Sequence, residues 1–139
     1  MLFRSDTGVA IDDLNLVFLD NATTILEIAT YDSMALRNLA HATEAFRAIG
    51  YADAKLRLVV NRADSAGGMS PDQLRAVVGR AADFTVQSDG RLVVPCNNDG
   101  VPFVLARPDA PVSRDVRAIA EALAAQVGVR PPAAVAGRG

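Results

Sequence analysis

The chain has 139 residues, half of them hydrophobic, and 14 basic against 16 acidic residues leave a formal net charge of -2. That length has room for one domain with a real core, and the absence of any basic block argues against a nucleic-acid groove. With no Trp and few other aromatics the core must come from Leu, Val, Ile and Ala, the single Cys96 excludes an internal disulfide, and no apolar run reaches the roughly 18 residues of a membrane span.

Residues 1–5 read as a leader outside the domain. Leu2-Phe3-Arg4-Ser5 is what a common sequencing-adapter stretch encodes when translated, and it is equally an ordinary short N-terminal segment. On the first reading the native sequence begins near Asp6 and the reading frame is cut on its 5′ side. No signal-peptide pattern stands here, and the lone cysteine fits a reducing compartment, so a cytoplasmic protein is expected.

Leu14, Val17 and Phe18 fall at i, i+3, i+4 and predict a short helix over Asp12 to Leu19, ended by Asp20-Asn21. Thr24 to Ala29 is an apolar, β-rich run of strand length. Asp32 or Ser33 then caps a helix carrying Leu36, Leu39, Ala40, Phe46 and Ile49 at helical period, with Gly50 as its C-cap. Leu56 to Val60 is a second strand, and Ala63 to Gly68 a loop.

Ser70-Pro71 opens the next helix, with Gln73 completing a capping box, Leu74, Val77 and Val78 as the buried stripe, and Gly79 as the stop. Phe84-Thr85-Val86 is a third, short strand. Gly90 to Val94 is ambiguous, and Pro95 should break any helix there. Val101 to Leu105 is apolar and predicts an extension along the sheet. Ser113 is the expected cap of a last helix with Val116, Ile119, Ala120, Leu123 and Val127 on one face. From Gly128 the periodicity is gone and a disordered tail over 128–139 is expected. Strands alternating with helices predict a wound α/β domain with parallel strands near 24–29, 56–61 and 84–86. The strands read as apolar throughout, which suits a sheet covered by helices on both faces.

Neither G-x-x-x-x-G-K-[ST] nor G-x-G-x-x-G occurs, and Gly67-Gly68 reads as a turn pair. One His and one Cys make no metal constellation, and His41 reads as a partly exposed helix residue. Nothing activates Cys96, and nothing suggests a catalytic triad.

The order of the remaining motifs carries a resemblance. Asp6-Thr7-Gly8 precedes the first strand at a set distance; Thr30-Tyr31-Asp32-Ser33 follows that strand; Val59-Val60-Asn61-Arg62 ends the second; Gln87-Ser88-Asp89 follows the third; Gly100-Val101-Pro102 and Pro111-Val112-Ser113 lead into the last helix. From Asp6 to Val127 this order resembles the C-terminal half of a MinD/ParA-type nucleotide-binding domain, a SIMIBI-class P-loop NTPase fold, without the phosphate loop. The run Asp83-Phe84, Asp89, Arg91, Gly100, Pro102, Val104-Leu105, Pro111-Val112 and Arg117 is most similar to the CpaE/TadZ-like proteins of tight-adherence (Flp) pilus assembly.

The resemblance implies a parent protein that binds ATP with Mg²⁺ between two subunits of a homodimer. It implies that Asn61, with Arg62, meets the nucleotide base, that Ser88 and Asp89 form a turn beside it, and that Asp6 holds Mg²⁺ through water. An amide suits an adenine edge because it offers both donor and acceptor, and ligands of parallel sheets bind at the carboxyl ends of the strands. Gly8 and Gln87 stand where relatives carry Pro. It further implies pilus or secretion components as partners, and a place at the cell pole or the inner face of the inner membrane. No ATPase activity is expected of the chain as given, because the groups that stabilise γ-phosphate charge are missing. Two alternatives stay open: a truncated MinD or chromosome-partitioning ATPase, and a non-catalytic α/β adaptor domain. The Ala/Pro/Gly-rich tail lacks the apolar face of a membrane-targeting helix, and no acidic cluster ends the first strand as in a receiver domain.

Overall fold

Three parallel strands, β1 (Ile25–Ala29), β2 (Leu56–Asn61) and β3 (Phe84–Val86), lie side by side in chain order. Ile25 stands opposite Leu56, Val59 opposite Phe84, and Asn61 opposite Val86. The computed structural model describes residues 13–129. The leader, the Asp6-Thr7-Gly8 motif and the tail from residue 130 lie outside the described residues. Helix α1 (Asp13–Asn21) precedes β1, α2 (Ser33–Ala48) joins β1 to β2, and α3 (Pro71–Val78) joins β2 to β3. After β3 come α4 (Gly90–Asn98), α5 (Phe103–Ala106) and α6 (Pro111–Gln126).

Right-handed crossovers that advance in one direction along a sheet place their helices on the same face. Accordingly α2 and α3 cover one face, where Ala29, Leu58 and Val60 meet Leu36, Leu39, Leu74 and Val78. Phe46 extends that layer over Ile25 and Leu56, with Leu19 of α1 beside them. The opposite face is covered by the C-terminal helices, where Val59 and Val86 pack on Val112 with Phe103, Val116 and Ile119. The expected layers on both faces are therefore present. Tyr51 ties α1 to this body, its O–H donating to Asp20 Oδ1 at 2.6 Å.

Local signals place several helix ends. Asp32 caps α2, accepting from Ala35 N at 2.8 Å. Ser70 and Gln73 close both halves of the capping box on α3, and Gly79 ends it at φ +79°, where a side chain would be strained. His41 is an exposed residue of α2.

Other expectations are corrected. The first strand starts at Ile25; Thr24 instead donates its hydroxyl to Gln126 Oε1 at 2.9 Å, at the end of α6. The C-cap of α2 is Ile49, with Gly50 following it. Pro95 does not break a helix: α4 runs through it, because in a helix this short the ring removes only the bond to the Arg91 carbonyl, on an exposed residue. Val101 to Leu105 does not extend the sheet. From Phe103 the run enters α5, which turns Phe103 onto the Val59 and Val86 cluster. Ser113 is no cap; α6 starts two residues earlier with Pro111, which needs no N–H there, and the buried Ser113 hydroxyl donates to the Phe103 carbonyl at 3.4 Å. Nor are the strands wholly apolar, since β1 carries a buried Glu27.

Candidate functional site

At the carboxyl ends of β1 and β2 the chain opens a cleft of about 620 Å³. One wall is the Thr30–Ser33 turn entering α2, the other the loop from Arg62 to Met69. The walls are fastened by Met69 N–H, which donates to the Tyr31 carbonyl at 2.7 Å. This approach demands glycine at position 68: a Cβ there would stand 2.9 Å from the Tyr31 oxygen. Arg62 begins the loop at φ +54°, rare for a side-chain-bearing residue, and its N–H donates to Asn61 Oδ1 at 3.0 Å while its carbonyl accepts from Ser65 N at 3.1 Å.

Two charged side chains line the cleft, Asp32 and Arg62. Asp32 is committed: it accepts from the Thr30 hydroxyl and the Ala35 N–H, which together hold its carboxyl below the usual range. Arg62 makes no ion pair among the described residues.

A smaller cleft of about 240 Å³ lies where α4 begins, lined by Asp89, Arg91, Leu92, Arg107 and Ala110. Asp89 caps α4 here, its Oδ1 accepting from Leu92 N at 3.0 Å. The turn before it is held from two sides. Gln87 N donates to Asp115 Oδ2 at 2.9 Å, and Ser88 N to Asp64 Oδ1 at 2.6 Å.

The four expected site residues within the described range thus share one rim, at the carboxyl ends of β2 and β3. Asn61 is exposed at the end of β2, and Ala63 N–H donates to the Val86 carbonyl at 3.0 Å, stitching the two strand ends. They do not converge on one cavity: Arg62 faces the larger cleft and Asp89 the smaller. Asp6 lies outside the described residues. The exposed Asn61 amide keeps its nitrogen without a hydrogen-bond partner among the described residues, while its oxygen accepts from Arg62 N–H. Among the described residues no group of three or more His, Cys, Asp or Glu could hold a metal ion. Sequence reasoning missed Asp64 and Asp115, which position the Gln87-Ser88 turn. Asp64, in a turn-rich segment, could have been suspected; Asp115 sits mid-helix and nothing local marks it. No helix among the described residues is long and apolar enough to cross a membrane.

No protein-family model and no curated protein sequence matches this chain. Solved structures do. A ParA family ATPase from Chlorobium tepidum TLS superposes with a TM-score of 0.72 at 18% identity, over 82% of this chain and 46% of its own. The MinD cell division protein of Aquifex aeolicus gives a TM-score of 0.67 at 16% identity, over 87% of this chain and 50% of its own. A chain of the MinC:MinD cell division protein complex of the same organism gives a TM-score of 0.67 at 16% identity, over 91% of this chain and 52% of its own. The chain spans about half the length of these proteins. Its fold, over that span, is the α/β fold of ParA- and MinD-type ATPases.

Proposed function

We propose that this chain supplies the base-side part of a nucleotide site in a MinD/ParA-like protein that positions and assembles a tight-adherence pilus machine. The observation that carries the reading is the Asn61-Arg62 strand end beside the Gln87-Ser88-Asp89 turn, on a fold shared with ParA and MinD. Asn61 reads the base edge, Arg62 flanks it, and Ser88 and Asp89 shape the turn beneath. Asp6 holds Mg²⁺ through water in the longer protein, which binds ATP as a homodimer. Its other partners are pilus or secretion components, and its site is the cell pole or the inner face of the inner membrane.

The test is to sequence the DNA around the gene. An upstream frame encoding a glycine-rich loop ending in Lys-Ser/Thr, with pilin, secretin and secretion-ATPase genes nearby, is the expected result. Division or partition genes nearby would replace the pilus role with that of a MinD- or ParA-like ATPase. A start codon at Met1 with no such loop upstream would remove the nucleotide role of Asn61.

A further inference from the structure

The cleft between the Thr30–Ser33 turn and the Arg62–Met69 loop is rich in unused donors. Its one carboxylate, Asp32, is already engaged. The hydroxyls of Tyr31, Ser33 and Ser65 have no hydrogen-bond partner among the described residues, nor do the backbone N–H groups of Ala66 and Gly67. Arg62 adds a guanidinium with no ion pair among the described residues, so its charge is available to a ligand, whereas Arg47, Arg57 and Arg80 meet Asp53 or Asp83. Arg62 is also the one non-glycine residue at positive φ among the described residues, and such strain persists where the surroundings over-determine it. Here the hydrogen bonds of Arg62 with Asn61 and Ser65 do so, with the far end of the loop fastened by Met69 to Tyr31.

We propose that this cleft is an oxyanion site whose ligand is a phosphate group carried by a small molecule. A guanidinium with hydroxyl and backbone donors around it suits charge-assisted binding of an anion. Donors on both walls suit a tetrahedral group with three or more oxygens better than a two-oxygen carboxylate. The volume lies within the range of small-molecule sites, about 300–1,000 Å³. The assignment shares only Arg62 with the nucleotide reading; Asn61, Ser88 and Asp89 lie outside the cleft.

The experiment is a backbone-amide NMR titration of the full chain with inorganic pyrophosphate and, separately, with adenosine. Pyrophosphate should shift the amides of Ser33, Arg62, Ala66 and Gly67. Arg62→Gln should weaken that binding by about tenfold or more, as expected for loss of a hydrogen bond to a charged group, and Arg62→Lys by less. Arg91→Gln, in the smaller cleft, should leave it unchanged. Retained spectral dispersion shows that each variant folds, and Ser65→Ala serves as a second probe should Arg62→Gln lose it. Absence of shifts with pyrophosphate, or shifts of equal affinity in Arg62→Gln, would overturn the site. Shifts from adenosine at Asn61 and Ser88 with none from pyrophosphate would uphold the nucleotide reading and overturn this one; the reverse pattern would uphold this one alone.

Discussion

Glu27 of β1 and Thr43 of α2 form a buried pair beneath the sheet, the Thr43 hydroxyl donating to Glu27 Oε1 at 2.9 Å. The second carboxylate oxygen, Oε2, is buried with no partner among the described residues. Burial pushes the Glu27 carboxyl above its ordinary 4.5, against the opposing pull of the Thr43 hydroxyl and of Arg80 and Arg47. Between 4.5 and that raised value the folded chain keeps a proton that the unfolded chain has released, so stability falls as pH rises through the window. Glu27→Gln should flatten this fall and exceed the parent in stability above the window. Thr43→Val should lose about 1–3 kcal/mol at neutral pH, the cost of stripping a buried polar group of its partner. Urea unfolding across a pH series measures both, and a parent profile as flat as that of Glu27→Gln would refute the assignment.

Asp83 closes the turn into β3. It accepts from Leu58 N at 2.7 Å and from Arg80, lies 3.6 Å from Arg57, and donates its own N–H to the Leu58 carbonyl at 2.9 Å. Asp83→Ala should cost about 2–3 kcal/mol, since it frees a strand N–H and a half-buried guanidinium together. Asp83→Asn should cost less, because its amide oxygen can still accept from Leu58. Equal losses in the two variants by chemical denaturation would contradict this account.

Gly68→Ala puts a methyl group 2.9 Å from the Tyr31 oxygen and 3.0 Å from its Cβ. The backbone there cannot give without breaking the Met69–Tyr31 hydrogen bond. A loss of about 1–3 kcal/mol is expected, typical of overpacking, together with weaker pyrophosphate binding. Gly67→Ala brings no such contact and meets only the strain of its φ of +80°. Thermal melts of the pair separate close approach from backbone strain.

β1 is an outer strand among the described residues, and Ile28 on it is 66% exposed. An open apolar strand edge is a template for pairing with other chains. Ile28→Lys should lower concentration-dependent self-association in light scattering while changing stability by no more than about 0.5 kcal/mol. Unchanged association would place the contact elsewhere.

Much of the frame is legible because its signals act within a few residues. The Ser70–Gln73 capping box and the Gly79 stop each follow from a short run of backbone donors and one suitable side chain, and all occur where expected. The three strands read correctly from β-rich apolar runs, with an error of one residue at Thr24. The segment from Gly90 to Ser113 was illegible for the opposite reason. Whether an apolar run such as Val101–Leu105 is strand or helix depends on the surface it meets, and here Phe103 is drawn onto Val59 and Val86 of two neighbouring strands.

The same distinction divides the candidate site. The sequence by itself determined the alternation of strands and helices, and the placing of Asn61, Arg62, Ser88 and Asp89 at or just beyond strand ends, because apolar period and turn chemistry are local properties. Only the tertiary structure decided that Arg62 and Asp89 face separate clefts, that Glu27 is buried against Thr43, and that Tyr31 meets the loop at Gly68. Each of these depends on elements distant in the chain coming together, and the Glu27–Thr43 and Tyr31–Gly68 contacts exist only once the right-handed crossovers have stacked α2 and α3 on one face of the sheet.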